Sequence, residues 1–296
     1  MLHPFEINSR RVSSHFFSAV LQLFPMTTTS DEKLKSVSFG ITLLGTGSAW
    51  PDPDRSSPAF LISCEGAHYL IDCGGGTCHQ LMRVGVPPPE LTTVFLTHIH
   101  IDHCVEFPSL VFGAYLTGKS GAFELIGPKG VKAFSDSLFD VTYKFSRPMM
   151  RGLRNKEIEI NVREVSDGCV FEKNGLSVSS LPVEHGFPTL GYRFEHNGKV
   201  IVLSGDTEPC ENIITLSKNA DILVIDCSFP EEFGHKKGHC IPSEVGKIAS
   251  QAGVKLVCLV HLFPKCKGKE QEMIDEIAKF YSGPVLVGAD LDTLTP

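Results

Sequence analysis

The sequence lacks three features that mark common classes of protein. No apolar run approaches the roughly 20 residues that a membrane-spanning helix needs, so we expect no membrane partner. No internal repeat at a solenoid period is visible. Basic residues are not in excess: 27 Lys and Arg stand against 34 Asp and Glu, for a net charge of −7. A protein that binds many phosphate groups normally has a surface patch rich in Lys and Arg instead.

Closely paired cysteines are also missing. The ten cysteines are scattered, with no Cys-x-x-Cys motif and no framework of close pairs. Cys227 and Cys258 lie inside apolar, strand-like runs, which is typical of buried thiols. We therefore favour reduced cysteines and a cytoplasmic location over a disulfide scaffold. Cys104 and Cys240 each follow a histidine directly and stay open as metal contacts.

The apolar content is sufficient for one large core. Of the residues, 42% are apolar, and α/β domains commonly reach roughly 200–250 residues as a single unit. Strand-like runs alternate with amphipathic helices, which we place at about Thr77–Val84 and Ser243–Ala252. This order favours helices packed outside sheets. We assign residues 38–296 to one domain.

Residues 1–37 differ in character from the rest of the chain. They include Arg10 and Arg11 and are rich in Ser and Thr, and their apolar stretch is broken by Gln22 and Pro25, which argues against a secretory signal. We expect a disordered extension, or a start placed too early, with Met26 as the true first residue. Organellar targeting by residues 1–35 stays open.

The most informative motif is the run Thr97-His98-Ile99-His100-Ile101-Asp102-His103, which directly follows the apolar stretch Thr93–Leu96. That stretch is typical of a buried strand, and closely spaced side chains can converge where a strand ends. Imidazole and carboxylate ligands suit zinc, iron or manganese rather than calcium or magnesium. A solvated polar turn is the alternative, but it would not require an aspartate in register after a strand. The run predicts a transition-metal site.

Further ligand-type residues follow other apolar runs. Leu176–Val183 ends near His185, Val200–Leu203 ends near Asp206, and Val254–Val260 ends at His261. One His or Asp after a strand is more often a cap or turn residue. Two metals, however, need about seven or eight ligands, more than one short loop supplies. We therefore expect these strand ends to meet.

Together these residues resemble the metallo-β-lactamase-fold superfamily of metallohydrolases, from about Ser38 to the C-terminus. The resemblance implies a four-layer αββα sandwich with two divalent metal ions, zinc first, with Mn²⁺ or Fe²⁺ as alternatives. It implies that one metal is held by His98, His100 and His185, the other by Asp102, His103 and His261, and that Asp206 bridges them. Asp102 is thereby both a metal ligand and a catalytic residue.

Within the superfamily the sequence is most similar to ribonuclease Z and related phosphodiesterases. The matching motifs are Leu44–Ser48, Ile71–Gly74, Gly191–Glu195, Ser204–Thr207 and Gly238-His239. By this resemblance His239 donates a proton to the leaving group, and Asp226, where the family has a glutamate, orients His239. Asp72 is expected to hold a ligand imidazole in the right tautomer. The alternative for His239 is a capping role.

The resemblance to ribonuclease Z also implies a long arm that grips tRNA, placed after the segment matching Gly191–Glu195. Here only His196-Asn197-Gly198-Lys199 precedes the next strand, which predicts a hairpin turn without an arm. Lys236 and Lys237, close to His239, suit an anionic phosphoryl substrate, with a solvated pair as the alternative.

We therefore expect a binuclear metal-dependent hydrolase that acts on small or cyclic phosphodiesters. Two metals that share a water lower its pKa from 15.7 towards about 7, so a metal-bridging hydroxide is available at neutral pH. A tRNA 3′-processing endoribonuclease is the first alternative, which leaves RNA open as a partner but not favoured. A lactonase, β-lactamase or sulfatase is the second, and a non-catalytic binding protein the third. A homodimer is also left open.

Overall fold

The computed structural model describes residues 37–155 and 157–296. The interpretations of residues 1–36, as a disordered extension, a transit peptide or a segment before a start at Met26, lie outside the described residues. Within the described part of the chain, no helix combines the length and apolarity needed to cross a bilayer.

In the described part of the chain, fourteen strands form two mixed sheets. Their bounds are β1 Phe39–Gly45, β2 Ala59–Cys64, β3 Ala67–Ile71, β4 Thr93–Phe95, β5 Phe123–Gly127, β6 Ile160–Glu164, β7 Gly168–Lys173, β8 Leu176–Val183, β9 Thr189–His196, β10 Lys199–Leu203, β11 Ile222–Asp226, β12 Leu256–Val260, β13 Val285–Val287 and β14 Thr293–Leu294. The first sheet has the order β14-β1-β2-β3-β4-β5-β6, and the second the order β13-β12-β11-β10-β9-β8-β7. Strands β3 to β6 pair in parallel, as do β10 to β13.

Eight α-helices connect these strands within the described residues. They are α1 Thr77–Arg83, α2 Ile101–Cys104, α3 Phe107–Leu116, α4 Val131–Asp136, α5 Ser146–Arg154, α6 Glu211–Leu216, α7 Pro242–Ala252 and α8 Glu270–Ala278. Helices α1 to α5 pack their apolar residues on the outer face of the first sheet. Helices α6 to α8 do the same on the second sheet. Parallel strands need such crossover connections, and these cover the outer faces.

Alternation along the strands decides which layer each side chain joins. In β11, Ile222 and Val224 pack between the two sheets, whereas Leu223 and Ile225 pack under the helices of the second sheet. The same separation throughout the fold gives three hydrophobic clusters, one at each interface between four layers. The predicted αββα sandwich is confirmed.

Predicted and observed element bounds agree to within two residues. The largest difference is at Val254–Val260, whose strand begins only at Leu256. The reason is the end of α7: Gly253 adopts φ 67° and Val254 N–H donates to the Ala249 carbonyl, so Val254 still belongs to the helix cap. The predicted hairpin is present, with Lys199 paired to His196.

The centre of the inter-sheet core yields a stability prediction. Phe95 is fully buried, and its ring centroid lies 5.5, 5.4 and 5.8 Å from those of Phe171, Tyr192 and Phe194. We expect Phe95→Ala to lower the free energy of unfolding by about 3–5 kcal/mol because it leaves a cavity between the sheets. Urea denaturation measures this. Val141→Ala, at a side chain 69% exposed, is the control. A loss below about 1 kcal/mol for Phe95→Ala would contradict this packing.

Candidate metal centre

The ligand-type residues lie at the carboxyl ends of strands in both sheets, in loops and, for Asp102 and His103, in the short helix α2. The His98–His103 run follows β4, whereas His185, Asp206 and His261 follow β8, β10 and β12. Two hydrogen bonds join the sheets at this edge: Tyr192 Oη donates to the Leu96 carbonyl at 2.8 Å, and Leu190 N–H donates to the Thr97 carbonyl at 2.9 Å. The His-rich run is thereby held against the second sheet.

One group of three imidazoles is open to solvent on one side. His100 Nδ1 lies 3.0 Å from His98 Nε2 and 3.1 Å from His185 Nε2. In a tetrahedral zinc site with Zn–N bonds of about 2.05 Å, neighbouring ligand nitrogens are about 3.3 Å apart. The observed separations are therefore compatible with three ligands on one metal ion.

A second group is buried. His261 Nε2 lies 3.4 Å and His103 Nε2 3.6 Å from Asp102 Oδ2. His103 Nε2 is a buried nitrogen without a hydrogen-bond partner. Such atoms are rare in folded proteins and call for an explanation, and a metal ion at this group would provide one.

Asp206 lies between the two groups. Its Oδ1 is 3.3 Å from His103 Nε2, and its Oδ2 is 3.2 Å from His261 Nε2, 3.7 Å from His185 Nε2 and 3.8 Å from His98 Nε2. The side chain is only 4% exposed. All seven ligands predicted from the sequence thus lie together, in the arrangement that the resemblance implied, and their donor set fits two divalent cations.

The imidazoles are held by the ring nitrogen that faces away from the centre. Nδ1–H of His98 donates to Thr97 Oγ1 (3.0 Å), that of His103 to Asp72 Oδ2 (2.7 Å), that of His185 to the Gly238 carbonyl (2.7 Å) and that of His261 to Ser228 Oγ (2.9 Å). This fixes each tautomer with Nε2 directed inward. Asp72 in turn accepts hydrogen bonds from Thr97 N–H and Oγ1, both at 2.8 Å.

Burial and charge set the protonation of the cluster. Burial lowers the pKa of His98 well below its usual range and also lowers the pKa of His100. Both are therefore neutral, as metal ligation requires. Burial opposes a charged Asp206, but His261 and His103 hold the pKa of Asp206 well below its usual range. Burial lowers the pKa of His103, but Asp206 and Asp72 outweigh it and raise that pKa well above its usual range. Without a metal, His103 therefore carries a proton that balances Asp206, and a bound cation would replace that proton.

A second histidine–carboxylate pair borders the ligand cluster. His239 Nδ1–H donates to Asp226 Oδ2 at 2.8 Å, and Ser228 Oγ donates to Asp226 Oδ1 at 2.6 Å. Burial lowers the pKa of His239, but the charge and hydrogen bond of Asp226 outweigh it and raise the pKa to about 9. The His239 ring lies 5.1 Å from that of His185 and 5.2 Å from that of His261. Aspartate thus reaches His239 directly, although it is one methylene shorter than the family's glutamate.

Three contributors to the site were not anticipated from the sequence. Thr97 and Ser228 connect carboxylates to ligand imidazoles through their hydroxyl groups, and the backbone carbonyl of Gly238 accepts a hydrogen bond from His185. A signal existed for the hydroxyls, because Thr97 directly precedes His98 and Ser228 lies two residues after Asp226. Gly238 gave none, since every residue has a carbonyl.

The cysteines take no part in the ligand groups. Cys104 Sγ donates to the His100 carbonyl at 3.2 Å, and Cys240 Sγ donates to the Thr207 carbonyl at 3.1 Å. Neither belongs to a group of converging ligand atoms in the described residues. All ten cysteines are free thiols, which agrees with the expectation from their spacing.

Comparisons with known proteins support the same family. Residues 68–262 match the family described as "Beta-lactamase superfamily domain". This chain belongs to the metallo-β-lactamase superfamily. A curated relative, ribonuclease Z of Mycobacterium marinum, is 32% identical over 271 residues, which cover 85% of this chain and 96% of the relative. The resemblance to this superfamily, and within it to ribonuclease Z, is confirmed.

Solved structures of the superfamily share the fold. YhfI of Bacillus subtilis superimposes with a TM-score of 0.73 at 21% identity, covering 86% of this chain and 98% of that one. The short form of human tRNase Z gives a TM-score of 0.70 at 22% identity, with the same coverage of both chains. Membership of this family, together with the clustered histidines and aspartates, identifies the protein as a metal-dependent hydrolase. The family also implies that the protein binds divalent metal ions.

The contact between Gly238 and His185 yields a prediction on metal content. A Cβ atom at Gly238 would lie 2.9 Å from His185 Nδ1, at a backbone φ of 86°. We expect Gly238→Ala to displace His185 and to lower bound metal from about two ions per chain towards one, because His185 belongs to the group with His98 and His100 and not to the buried group of Asp102, His103 and His261. Elemental analysis of protein purified without chelator measures this.

The matched control is Gly234→Ala. Gly234 also has positive φ, 62°, but no atom lies within 4 Å of its added Cβ. This variant carries similar backbone strain without the clash, so it should keep its metal. Equal metal content in the two variants would contradict the role of the Gly238 carbonyl.

Proposed function

We propose that this hydrolase cleaves small phosphodiesters and that His239 is the proton donor to the leaving oxygen. One observation carries the proposal: His239, whose ring lies beside those of His185 and His261, is hydrogen-bonded through its Nδ1–H to the buried carboxylate of Asp226. A polarised histidine beside a metal centre is suited to general acid catalysis, which an ester with a poor leaving group requires. The nitrogen-rich ligand set favours zinc, with manganese or iron as alternatives.

His98, His100 and His185 would hold one metal, Asp102, His103 and His261 the other, and Asp206 would contact both. When bound, the two ions supply Lewis-acid polarisation of the phosphoryl group and a lowered pKa for the attacking water.

The protein's own residues control the proton that goes to the leaving group. Asp226 accepts the Nδ1–H of His239, so Nε2 is the atom from which the proton leaves. The negative charge of Asp226 stabilises the imidazolium until transfer, and Ser228 fixes the orientation of that carboxylate. A chain of hydrogen bonds from the buried Ser228 through Asp226 therefore fixes the position of the His239 ring.

Positive charge is available for the substrate beside the cluster. Lys237 is exposed. Its Cε lies 3.8 Å from the point where a Cβ atom added to Gly186 would lie, and Gly186 directly follows His185. An ammonium group there would attract and orient a phosphoryl oxygen. This favours a phosphodiester over the uncharged ester of a lactone or the amide of a β-lactam.

The β9–β10 connection favours a small substrate. It is a two-residue turn in which Asn197 and Gly198 have φ values of 49° and 75°, with no inserted segment. The net charge of −7 likewise offers little long-range attraction for a polyanion. An arm for holding tRNA is therefore not available at this turn.

A second candidate is 3′-end processing of tRNA precursors. It is favoured by the relative named ribonuclease Z, of which this chain covers 96% at 32% identity. The metal centre and His239 would serve the same chemistry on that substrate. The two candidates differ in how the substrate is held.

The proton donor yields the first functional prediction. We expect His239→Ala to lower the rate on diesters with poor, alkoxide leaving groups by about 10²- to 10⁴-fold, the usual contribution of general acid catalysis. On a p-nitrophenolate leaving group the loss should be much smaller, because that group needs little protonation. Steady-state kinetics measure both, with metal content as the control.

Asp226→Asn should give an intermediate loss, since it keeps His239 and disturbs chiefly the orientation and charge stabilisation of its ring, with a smaller effect on His261 through Ser228. An equal loss on both kinds of leaving group in His239→Ala would show that this histidine has a structural role instead.

The substrate-size argument yields a second functional prediction. We expect hydrolysis of bis-p-nitrophenyl phosphate, together with weak binding of tRNA precursors that falls steeply as salt rises, since such binding would depend on few phosphate contacts. Filter binding and cleavage assays at physiological salt measure this. Accurate cleavage of a precursor tRNA, faster than hydrolysis of the small diester, would favour the second candidate.

A further inference from the structure

Three phenylalanines border the candidate metal centre and a fourth packs against one of them, and none of the four belongs to the cores. They are Phe187, Phe229, Phe233 and Phe263, and none is a member of the three hydrophobic clusters. Phe187 is 38% exposed and Phe233 36% exposed. Exposed apolar side chains grouped at a site often mark a binding surface. Since the fold does not need these rings for its core, their position calls for a functional account.

The rings form two patches at the ends of a row of imidazoles. The ring centroids of His100 and His185 are 4.9 Å apart, and those of His185 and His239 are 5.1 Å apart. At one end Phe187 lies 5.1 Å from His100; at the other Phe229 and Phe263 each lie 6.2 Å from His239. We call Phe187 the distal patch, and Phe229, Phe233 and Phe263 the donor-side patch.

The donor-side patch presents stacked aromatic surface next to the proton donor. Phe229 and Phe263 stack at 4.7 Å with an interplanar angle of 22°, and Phe233 continues the patch at 6.1 Å from Phe229. Because His239 gives its proton to the leaving oxygen, this patch is adjacent to the leaving group. The distal patch, beside His100, is then adjacent to the group that stays on phosphorus.

We propose that the preferred substrate is a phosphodiester that carries a planar ring on each side of the phosphorus, as in a dinucleoside monophosphate. The inference rests on the proposed function. One base would contact the donor-side patch and the other Phe187, with the phosphate at the metal centre between them. Phenylalanine offers only its ring surface, so the preference does not depend on base identity. A cyclic nucleotide has a single base and would leave one patch uncovered.

Two diesters with the same leaving group test this. Bis-p-nitrophenyl phosphate has a ring on both sides, whereas methyl p-nitrophenyl phosphate has a ring only on the leaving side. In the wild-type protein we expect KM for the methyl diester to exceed that for the bis-aryl diester by about 10-fold, within the range for stacking on one aromatic side chain. The leaving group is the same, so the comparison isolates binding on the distal side.

The two patches should respond differently to substitution. In Phe187→Leu the ratio of the two KM values should fall towards one, because only the bis-aryl diester reaches the distal patch. In Phe233→Leu both KM values should rise by about 5-fold or more while their ratio stays as in the wild type. Phe280→Leu, at an exposed ring that contacts Lys247 on the outer helix layer, is the control and should change neither value.

The outcomes separate this inference from the proposed function. Hydrolysis of both diesters with a wild-type KM ratio near one, or with a ratio unchanged in Phe187→Leu, would overturn the inference and leave the phosphodiesterase proposal standing. No hydrolysis of either diester by the metal-loaded protein would overturn both.

Discussion

The site depends on one buried carboxylate, that of Asp206. It faces four imidazoles at 3.2 to 3.8 Å, two from the segment after β4 in the first sheet and two from loops of the second sheet. A buried charge is costly unless it is paired on several sides. The sandwich meets this requirement because the strand ends of both sheets face each other across Asp206. Because each ligand group contains residues from both sheets, metal ions bound there would also connect the two sheets.

Outward from Asp206, four ligand imidazoles, those of His98, His103, His185 and His261, are each held by a hydrogen bond to a group outside the cluster. Asp72 connects His103 to Thr97, and Asp226 with Ser228 connects His261 to His239. The second connection is the more consequential one, because a single carboxylate orients both a metal ligand and the proposed proton donor. A change at Asp226 would therefore affect metal affinity and proton transfer together, with the smaller effect on the metal because Ser228 remains.

The convergence of the seven candidate ligands could be predicted from the sequence because each apolar run ended in a residue type that binds metals, and parallel strands bring their carboxyl ends together. The sequence predicted Asp72 and Asp226 through motif resemblance. It did not predict Ser228, because one hydroxyl contacts partners up to 33 residues away only after β11 and β12 pair. The phenylalanine patches were missed for a similar reason: Phe229 and Phe263 follow different strands and become neighbours only in the folded chain.

The central claim is that Asp206 joins two metal sites, and calorimetric titration of the chelator-treated protein with Zn²⁺ tests it most directly. The account predicts about two ions per wild-type chain. It predicts that Asp206→Asn, which keeps the shape of the side chain but removes its charge, weakens both sites together, since the carboxylate contacts both ligand groups. Binding of no metal by the wild-type protein, or unchanged affinity at either site in Asp206→Asn, would contradict the account.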